Sequence, residues 1–313
     1  MRKNARIYIA GHRGLVGSAI VRLLNEQGYT NLLVRTHSEL DLTDQRKTLE
    51  FFQTHKPDYV FLAAAKVGGI MANAQNQADF IYQNLAIASN VIHAAYTCGV
   101  KKLLNLGSAC IYPKNTVQPI TETQLLTSTL ESTNEGYAIA KIAAIKMCRY
   151  FNEQYGTNFM SVMPANLYGV HDNFDLHSSH VLPALIRKFH LAKKTNQAQV
   201  VLFGTGQPHR EFLYVDDCAH ACVELMKKRH ANEIGEIVNI GYGNDVKINE
   251  LATMIADIVG FTCDIVWDTS KPDGVYRRLL DSSKLQSLID WQPKISLAEG
   301  IKKTYQWYCK QNE

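Results

Sequence analysis

Strand-like and helix-like runs take turns from the start of this chain, and that alternation narrows the folds open to it more than any other feature. RIYIAG reads as a strand and SAIVRLLNEQG as a helix, followed in the same rhythm by NLLVRT, TDQRKTLEFFQTH and DYVFLAAA. Two longer helical stretches, roughly 76 to 99 and 135 to 155, flank the strand LLNLGS, and FMSVMPANLYG reads as one further strand. Alternation of this kind implies a parallel sheet with helices on both faces. After about residue 170 the order loosens into a polar loop (HDNFDLHSSH), a helix (HVLPALIRKFHLAKK), a glycine-rich strand and turn (VVLFGTGQPHREFLYVDD) and a helix (DDCAHACVELMKK). Short strands (EIVNIGYG, CDIVWD) and helices near 248 to 259 and 296 to 309 complete the chain.

The expected architecture is therefore α/β: a Rossmann-type, doubly wound parallel sheet with a smaller, interleaved α/β lobe. Residues 1–170, with a returning segment at about 213–240, form the first part, and about 171–212 with 241–313 the second. A chain of 313 residues that is 46% apolar has ample material for both cores. The net charge of +4 is spread out, as in KKL at 101 to 103 and KKR at 227 to 229, which argues against a nucleic-acid track. No apolar run reaches the roughly 20 residues needed to span a bilayer. The cysteines, at 98, 110, 148, 218, 222, 263 and 309, form no CxxC pair, so a reduced, cytoplasmic protein without a zinc ribbon is expected. MRKNARIYIAGHRG runs straight into a strand and a glycine loop, so a signal peptide is not expected there. For Cys218, His220 and Cys222 core packing is expected in preference to a metal cluster, because positions 218 and 222 share a helix face that 220 does not.

AGHRGLVGSA joins the first strand to the first helix. Gly11, Gly14 and Gly17 there would permit a tight turn, backbone approach to a pyrophosphate and close helix packing, with the helix amino terminus favouring negative charge. With His12, Arg13, Leu15 and Val16 they make a candidate dinucleotide loop. Arg35 and His37 stand where an NAD site carries an acid for the ribose hydroxyls, and with Arg13 they favour the 2'-phosphate of NADP(H); otherwise Arg35 is a surface charge. Ala63, Ala64 and Ala65 either let a cofactor lie close or pack tightly. Asp41 either accepts from an adenine amino group or caps a helix, and Asp44 is read as a cap.

YAIAK places Tyr137 and Lys141 at i and i+4, one turn apart on a helix face. An ammonium there would lower the phenol's pKa and ready it for proton exchange with a carbonyl or alcohol. Ser108 would add a second hydrogen bond to the same oxygen. In NLGSACIYPK, Ser108 and Cys110 are two residues apart and would share one side if the extended conformation persisted.

Through the glycine loop, Ser108, Tyr137 and Lys141, the chain resembles the extended short-chain dehydrogenase/reductase family over essentially its full length. The stretches AGHRGLVGSA, LAAAKVGGI, FIYQN, GSACIYPK, YAIAKIA, NLYGVHDNF, SSHVLPAL, REFLYVDD and SKPDGVYRRLLD resemble members that epimerise GDP-4-keto-6-deoxy-D-mannose at C3 and C5 and then reduce it at C4 with NADPH. The resemblance implies Cys110 as base and His180 as acid in the epimerisations, with Ser108 and Tyr137 on the enolate oxygen. It implies Lys141 on the nicotinamide ribose, and cofactor contacts from Leu106, Gly107, Pro164, Asn166, Leu167 and His180. Lys188, Arg210 and Arg278, with Arg187 as a neighbour, are expected to meet the GDP-sugar's phosphates or sugar, Phe203 its nucleotide, and Asn166 its hydroxyls, unless Asn166 serves only a turn. His180 could instead cap a helix or bind only the nicotinamide amide; His171 and His177 read as surface residues. His37 and Phe203 replace an arginine and a tryptophan of a bacterial relative. A homodimer through the two long helices is also implied. A dehydratase would need a carboxylate pair after Ser108, where Ala109 and Cys110 stand; a 4-epimerase needs no thiol and histidine pair; a non-catalytic NADP(H) sensor has no use for the Ser, Tyr and Lys trio.

Overall fold

The computed structural model describes residues 1–271 and 273–312; Pro272, within the SKPDGVYRRLLD stretch, and Glu313 lie outside the described residues. The chain begins with β1 (Ile7–Ala10), α1 (Leu15–Glu26), β2 (Leu32–Leu33), α2 (Gln45–His55), β3 (Tyr59–Leu62), α3 (Ile70–Gln75), α4 (Gln77–Thr97), β4 (Lys102–Leu106), α5 (Glu135–Tyr155) and β5 (Phe159–Pro164). It continues through β6 (Asn166–Tyr168), α6 (Val181–Thr195), β7 (Gln199–Phe203), β8 (His209–Tyr214), α7 (Val215–Lys228), α8 (Ala231–Ile234) and β9 (Val238–Ile240). Last come β10 (Asp245–Lys247), α9 (Ile248–Val259), β11 (Asp264–Asp268), β12 (Arg277–Arg278), α10 (Ser283–Leu288) and α11 (Leu297–Asn312).

The main sheet is parallel and six-stranded, in the order β2-β1-β3-β4-β5-β9. Its inner strands are buried along their length, which is why IYIA, KLLNL and FMSVMP read as near-continuous apolar runs instead of alternating ones. Ile7, Ile9 and Phe61 pack under Ile20 and Leu24 of α1 and Cys218 and Leu225 of α7. On the opposite face Tyr8, Val60 and Leu103 meet Phe52 of α2, Val91 of α4 and Ala144 of α5.

FMSVMPANLYG is two strands, not the one expected. Ala165 donates its N–H to the Ile240 carbonyl at 2.9 Å, and the chain then leaves the main sheet to run as β6 beside β8. β8 also pairs with β10 and β12, while β7 pairs with β11. A third core, with Leu185, Phe189, Leu202, Leu251, Ile255 and Ile301, lies under these smaller sheets. β2 covers only Leu32–Leu33 of NLLVRT.

A buried polar clamp ties the segment after β4 to the far edge of the main sheet. The Tyr112 hydroxyl donates to Asn239 Oδ1 at 2.6 Å, and the Asn239 amide donates to the carbonyls of Ile120 (2.9 Å) and Asp281 (3.1 Å). Tyr112→Phe leaves that buried oxygen without its donor. It should destabilise the fold by about 1–3 kcal/mol in urea unfolding, with little change in secondary structure by circular dichroism.

Candidate active site

The chain passes from β1 to β2 on one side and on to β3 at the other, so a crevice opens beyond the carboxyl ends of β1 and β3, where such sheets bind ligands. Gly11 follows β1 with φ +83°, and a Cβ there would lie 2.9 Å from the backbone of Ala64, which follows β3. Gly17 is held still more tightly, since its Cβ would fall 2.1 Å from the Gly11 carbonyl oxygen. Gly14 caps α1 without a side-chain bond and the first turn carries no acid, so the helix's amino-terminal N–H groups are free to meet an anion. Leu15 and Val16 pack behind the loop, and the buried His12 Nδ1 has no hydrogen-bond partner. His12 is held neutral first by its burial and then by the Arg13 charge. Donors, close backbone approach and cations together fit a dinucleotide.

Around the mouth of this crevice, Arg35 lies half-buried over the Phe51 ring, 5.5 Å from its centroid, with Nη2 3.0 Å from His55 Nε2. Arg13 and His37 are exposed. Glu39, which sequence reasoning passed over, turns its carboxylate back onto the Thr36 N–H (2.7 Å) and hydroxyl (2.8 Å). That hydrogen bonding, helped by Arg35 and Arg13, lowers its pKa. Asp41 accepts from the Thr43 N–H (2.9 Å) and hydroxyl (2.8 Å), and Asp44 caps α2 through the Lys47 N–H at 3.0 Å. Asn84, from the FIYQN stretch, binds Lys66 both ways, accepting its N–H at 3.1 Å and donating to its carbonyl at 3.0 Å, which fixes the loop after Ala65.

Ser108 and Cys110 do come together, but not as alternate residues of a strand. β4 ends at Leu106, Gly107 donates to the Val162 carbonyl at 2.8 Å, and Ala109–Ile111 turn as a 3₁₀ helix that Ser108 caps, its hydroxyl 3.5 Å from the Cys110 N–H. The Ser108 side chain interacts with both the Cys110 thiol and the Tyr137 phenol. Ser108, Cys110 and Tyr137 are half-buried, so all three remain within reach of a ligand.

Lys141 is buried and donates from Nζ to the Leu106 carbonyl at 2.7 Å, and Nζ lies 5.7 Å from the Tyr137 ring centroid. The expected drop in the Tyr137 pKa is not found. Burial pushes the phenol up, a charge on Cys110 would push the same way, and the Ser108 hydroxyl opposes them only in part. Burial likewise pushes the Cys110 thiol up, against Ser108, Arg278 and Lys141, and pushes Lys141 down to about 8. Tyr137 thus stands as a proton donor at neutral pH.

His180 caps α6 through its backbone, its carbonyl accepting from the Ala184 N–H at 3.1 Å, and its side chain makes no cap bond. Its ring keeps open surface but is otherwise walled by protein, and this burial lowers its pKa. Asp175 knots the preceding loop by accepting from the His177 and Ser178 N–H groups, each at 3.0 Å. Gly69 donates to the Ser178 carbonyl at 2.8 Å, and a Cβ on Gly69 would sit 2.4 Å from the Ser179 oxygen, so the loop after β3 and the His180 loop touch.

The basic residues divide. Lys188 donates to the Val201 carbonyl at 2.8 Å and sits 4.5 Å above the Phe203 ring, which Lys271 approaches at 6.0 Å. Lys271 was not anticipated; only its cluster with Phe203 in space reveals it. Arg210 is half-buried, its guanidinium bonded to the carbonyls of His209 (2.8 Å) and Asp273 (3.3 Å), and Arg278 lies buried behind Cys110. Arg187, one residue before Lys188 and so about 100° round the helix, instead donates to the Phe174 carbonyl at 3.0 Å and lines a separate hollow of about 370 Å³ between α6 and α11. Pro164 ends β5, and Asn166 donates to the Glu211 carbonyl at 2.9 Å, with Leu167 beside it packed on the first core.

Residues 7–241 match the NAD dependent epimerase/dehydratase family. The chain belongs to this family. GDP-L-fucose synthase 1 of Arabidopsis thaliana is 58% identical over 98% of this chain and 94% of its own. Among solved structures, a GDP-6-OMe-4-keto-L-xylo-heptose reductase from C. jejuni superposes with a TM-score of 0.95 at 40% identity, covering 100% of this chain and 99% of that one. A GDP-L-fucose synthetase from Naegleria fowleri bound to NADP superposes with a TM-score of 0.90 at 28% identity, covering 100% and 96%. In this family member the buried lysine leaves a thermodynamic trace. Native Lys141 releases its proton near pH 8, whereas in the unfolded chain it holds it to about its ordinary 10.5. Between those values the unfolded state binds more protons, so this group's contribution to stability rises with pH. Relative to Lys141→Met, the wild-type unfolding free energy in urea should therefore climb through that window, on the order of 1 kcal/mol per pH unit.

Proposed function

We infer that this chain converts GDP-4-keto-6-deoxy-D-mannose to GDP-L-fucose: it inverts C3 and C5, then reduces C4, with NADPH as reductant. The observation that carries the reading is the Cys110 thiol held beside Ser108 and Tyr137, a placement that reduction alone does not need. A 4-keto group acidifies the hydrogens on C3 and C5, because each carbanion delocalises into the carbonyl. Inversion then takes a proton from one face of the ring and returns one to the other, which requires two groups.

Cys110 serves as the base and His180 as the acid, while Ser108 and Tyr137 donate to the enolate oxygen. At rest Cys110 holds its proton and His180 is neutral, so the competent pair forms when the thiol's proton has left and the imidazole carries one. In the reduction, bound NADPH supplies the hydride to C4, and Tyr137 gives its proton to the same oxygen. Lys141, still mostly charged at neutral pH, anchors the end of β4 through the Leu106 carbonyl and offers its ammonium to the ribose.

The part formed by residues 1–170 with about 213–240 would hold the cofactor, with Arg13 and Arg35 as the residues for its 2'-phosphate. The remainder would hold the GDP-sugar, with Phe203 offered to the guanine and Lys188 and Arg210 to the diphosphate. Lys271 joins Lys188 over the same ring. The seven cysteines are all free, in keeping with a reducing cytoplasm, and among the described residues no helix is long and apolar enough to cross a membrane. Tyr82 of α4 and Ile139 and Tyr150 of α5 expose apolar surface, which supports a homodimer through these helices. Tyr150→Glu is expected to shift that dimer toward monomer in light scattering.

A plain GDP-sugar 4-ketoreductase is the second reading, supported by the close superposition on the C. jejuni reductase. Incubation with the keto sugar and NADPH in deuterated water separates the two. NADPH oxidation with deuterium at C3 and C5 is expected, with Cys110→Ser losing the label and the fucose product, and Tyr137→Phe losing reduction by roughly two orders of magnitude or more. Reduction without label in the wild type would establish the second reading.

A further inference from the structure

Arg278 was expected at the substrate's phosphates or sugar, but its surroundings point elsewhere. It lies in β12, paired with β8 so that Arg278 sits opposite Arg210, and its side chain crosses from this smaller sheet to the turn that carries Cys110. There Nη1 donates to the carbonyl oxygens of Ala109 and Tyr112, each at 3.1 Å, with Pro113 at 3.5 Å. Cys110 lies between the first two acceptors in the chain. One nitrogen thus closes the 3₁₀ turn from behind, 169 residues away in sequence from Ala109.

The strand that delivers Arg278 is itself fixed. Ile120 donates to the Leu279 carbonyl at 2.8 Å, and Leu280 donates to Glu211 Oε2 at 2.9 Å. The other oxygen of the buried Glu211 takes the Gly243 N–H at 2.7 Å. The guanidinium therefore has little freedom to swing toward a ligand.

We propose that Arg278 is the positioning residue of the epimerase half-reaction: it fixes the Cys110 turn and holds a permanent positive charge beside the sulfur, favouring the thiolate that removes the substrate proton. The proposal rests on the bifunctional reading above. The groups facing Cys110 are Ser108 and Arg278, then Lys141, with Tyr137 alongside; those facing Arg278 include Arg210, Glu131 and Tyr112. Glu131 is paired with Lys114 at 3.1 Å, which leaves the Arg278 charge available to the sulfur. Lys141 is the other cation, but it is partly deprotonated as pH passes about 8, whereas burial lowers the Arg278 guanidinium from a much higher ordinary value, so it keeps its charge beyond that pH.

The test uses the full-length wild type, Arg278→Met and Arg278→Lys, with three readouts across pH. The first is deuterium uptake at C3 and C5 without NADPH. The second is alkylation of Cys110 by iodoacetamide, followed by mass spectrometry. The third is the KM and kcat for reducing the already epimerised ketone. Removing the cation raises the pH at which the thiolate forms, so uptake and alkylation in Arg278→Met should fall about tenfold at neutral pH for each pH unit of displacement, and recover as pH rises. Arg278→Lys should lie between, and reduction should suffer much less than uptake. Unchanged pH profiles for alkylation and uptake, with a raised KM in reduction, would overturn the proposal and make Arg278 a substrate ligand. Absence of uptake in the wild type would overturn the bifunctional reading instead, while the alkylation profile would still decide the role of Arg278. If Arg278→Met fails to fold, Arg278→Lys decides, since an unshifted alkylation profile in that variant would also refute the proposal.

Discussion

Backbone touches backbone where β1 and β3 end, and much of the site follows from that contact. Gly11 turns with positive φ against Ala64, and Gly17 brings α1 down onto the Gly11 carbonyl. Only residues without a Cβ allow this, because at Gly17 a side chain would overlap an oxygen outright. Once α1 is seated, its uncapped amino terminus points into the crevice between β1 and β3. The loop after β3 then runs alongside, locked by Asn84, and reaches the carbonyl of Ser179 just before His180. A chain of close approaches therefore links the cofactor loop to the histidine.

Burial then determines which groups carry protons. It raises the Tyr137 phenol and the Cys110 thiol and lowers the His180 imidazole, so three of the groups proposed to react are neutral at rest. The charges that remain nearby, on Lys141 and Arg278, are positive. Burial opposes an anion on the thiol while the two cations favour one, and the site welcomes an anion that delocalises onto an oxygen already held by donors, as an enolate does. The same neutrality suits Tyr137 to proton donation in reduction. A phenolate held by the neighbouring ammonium, as the i, i+4 spacing alone suggested, would be the form left after that proton had gone.

Features decided within one turn or one strand were legible in the sequence. The glycine loop, the one-turn spacing of Tyr137 and Lys141, and α5 and α9 within about a residue of their ends all depend on local periodicity. Features decided across the fold were not. The break at Ala165 comes from a competition between two sheets for the same segment, and its apolar pattern gives no hint of it. Ser108 and Cys110 share a patch through a capped turn, whereas strand alternation would have given the same neighbourhood for a different reason. Arg187 and Lys188 look alike as neighbours, but the helix turns them to separate surfaces. Lys271 and the reach of Arg278 depend on contacts between distant segments that spacing cannot express.

The substrate's own chemistry orders the two half-reactions. Hydrogens on C3 and C5 are acidic only while C4 is a ketone, so reduction ends any chance of inversion. Epimerisation must therefore come first, and no gate in the protein is required to enforce this. What the protein must supply is a polarising pair that serves the oxygen of C4 both as it becomes an enolate and as it becomes an alcohol. On the assignment proposed above, Ser108 and Tyr137 would meet that need from one position, and the thiol and imidazole would act only in the first stage. With Cys110 only two residues from Ser108, in the turn that Ser108 caps, the group proposed for the first stage would stand beside the oxygen that both stages use.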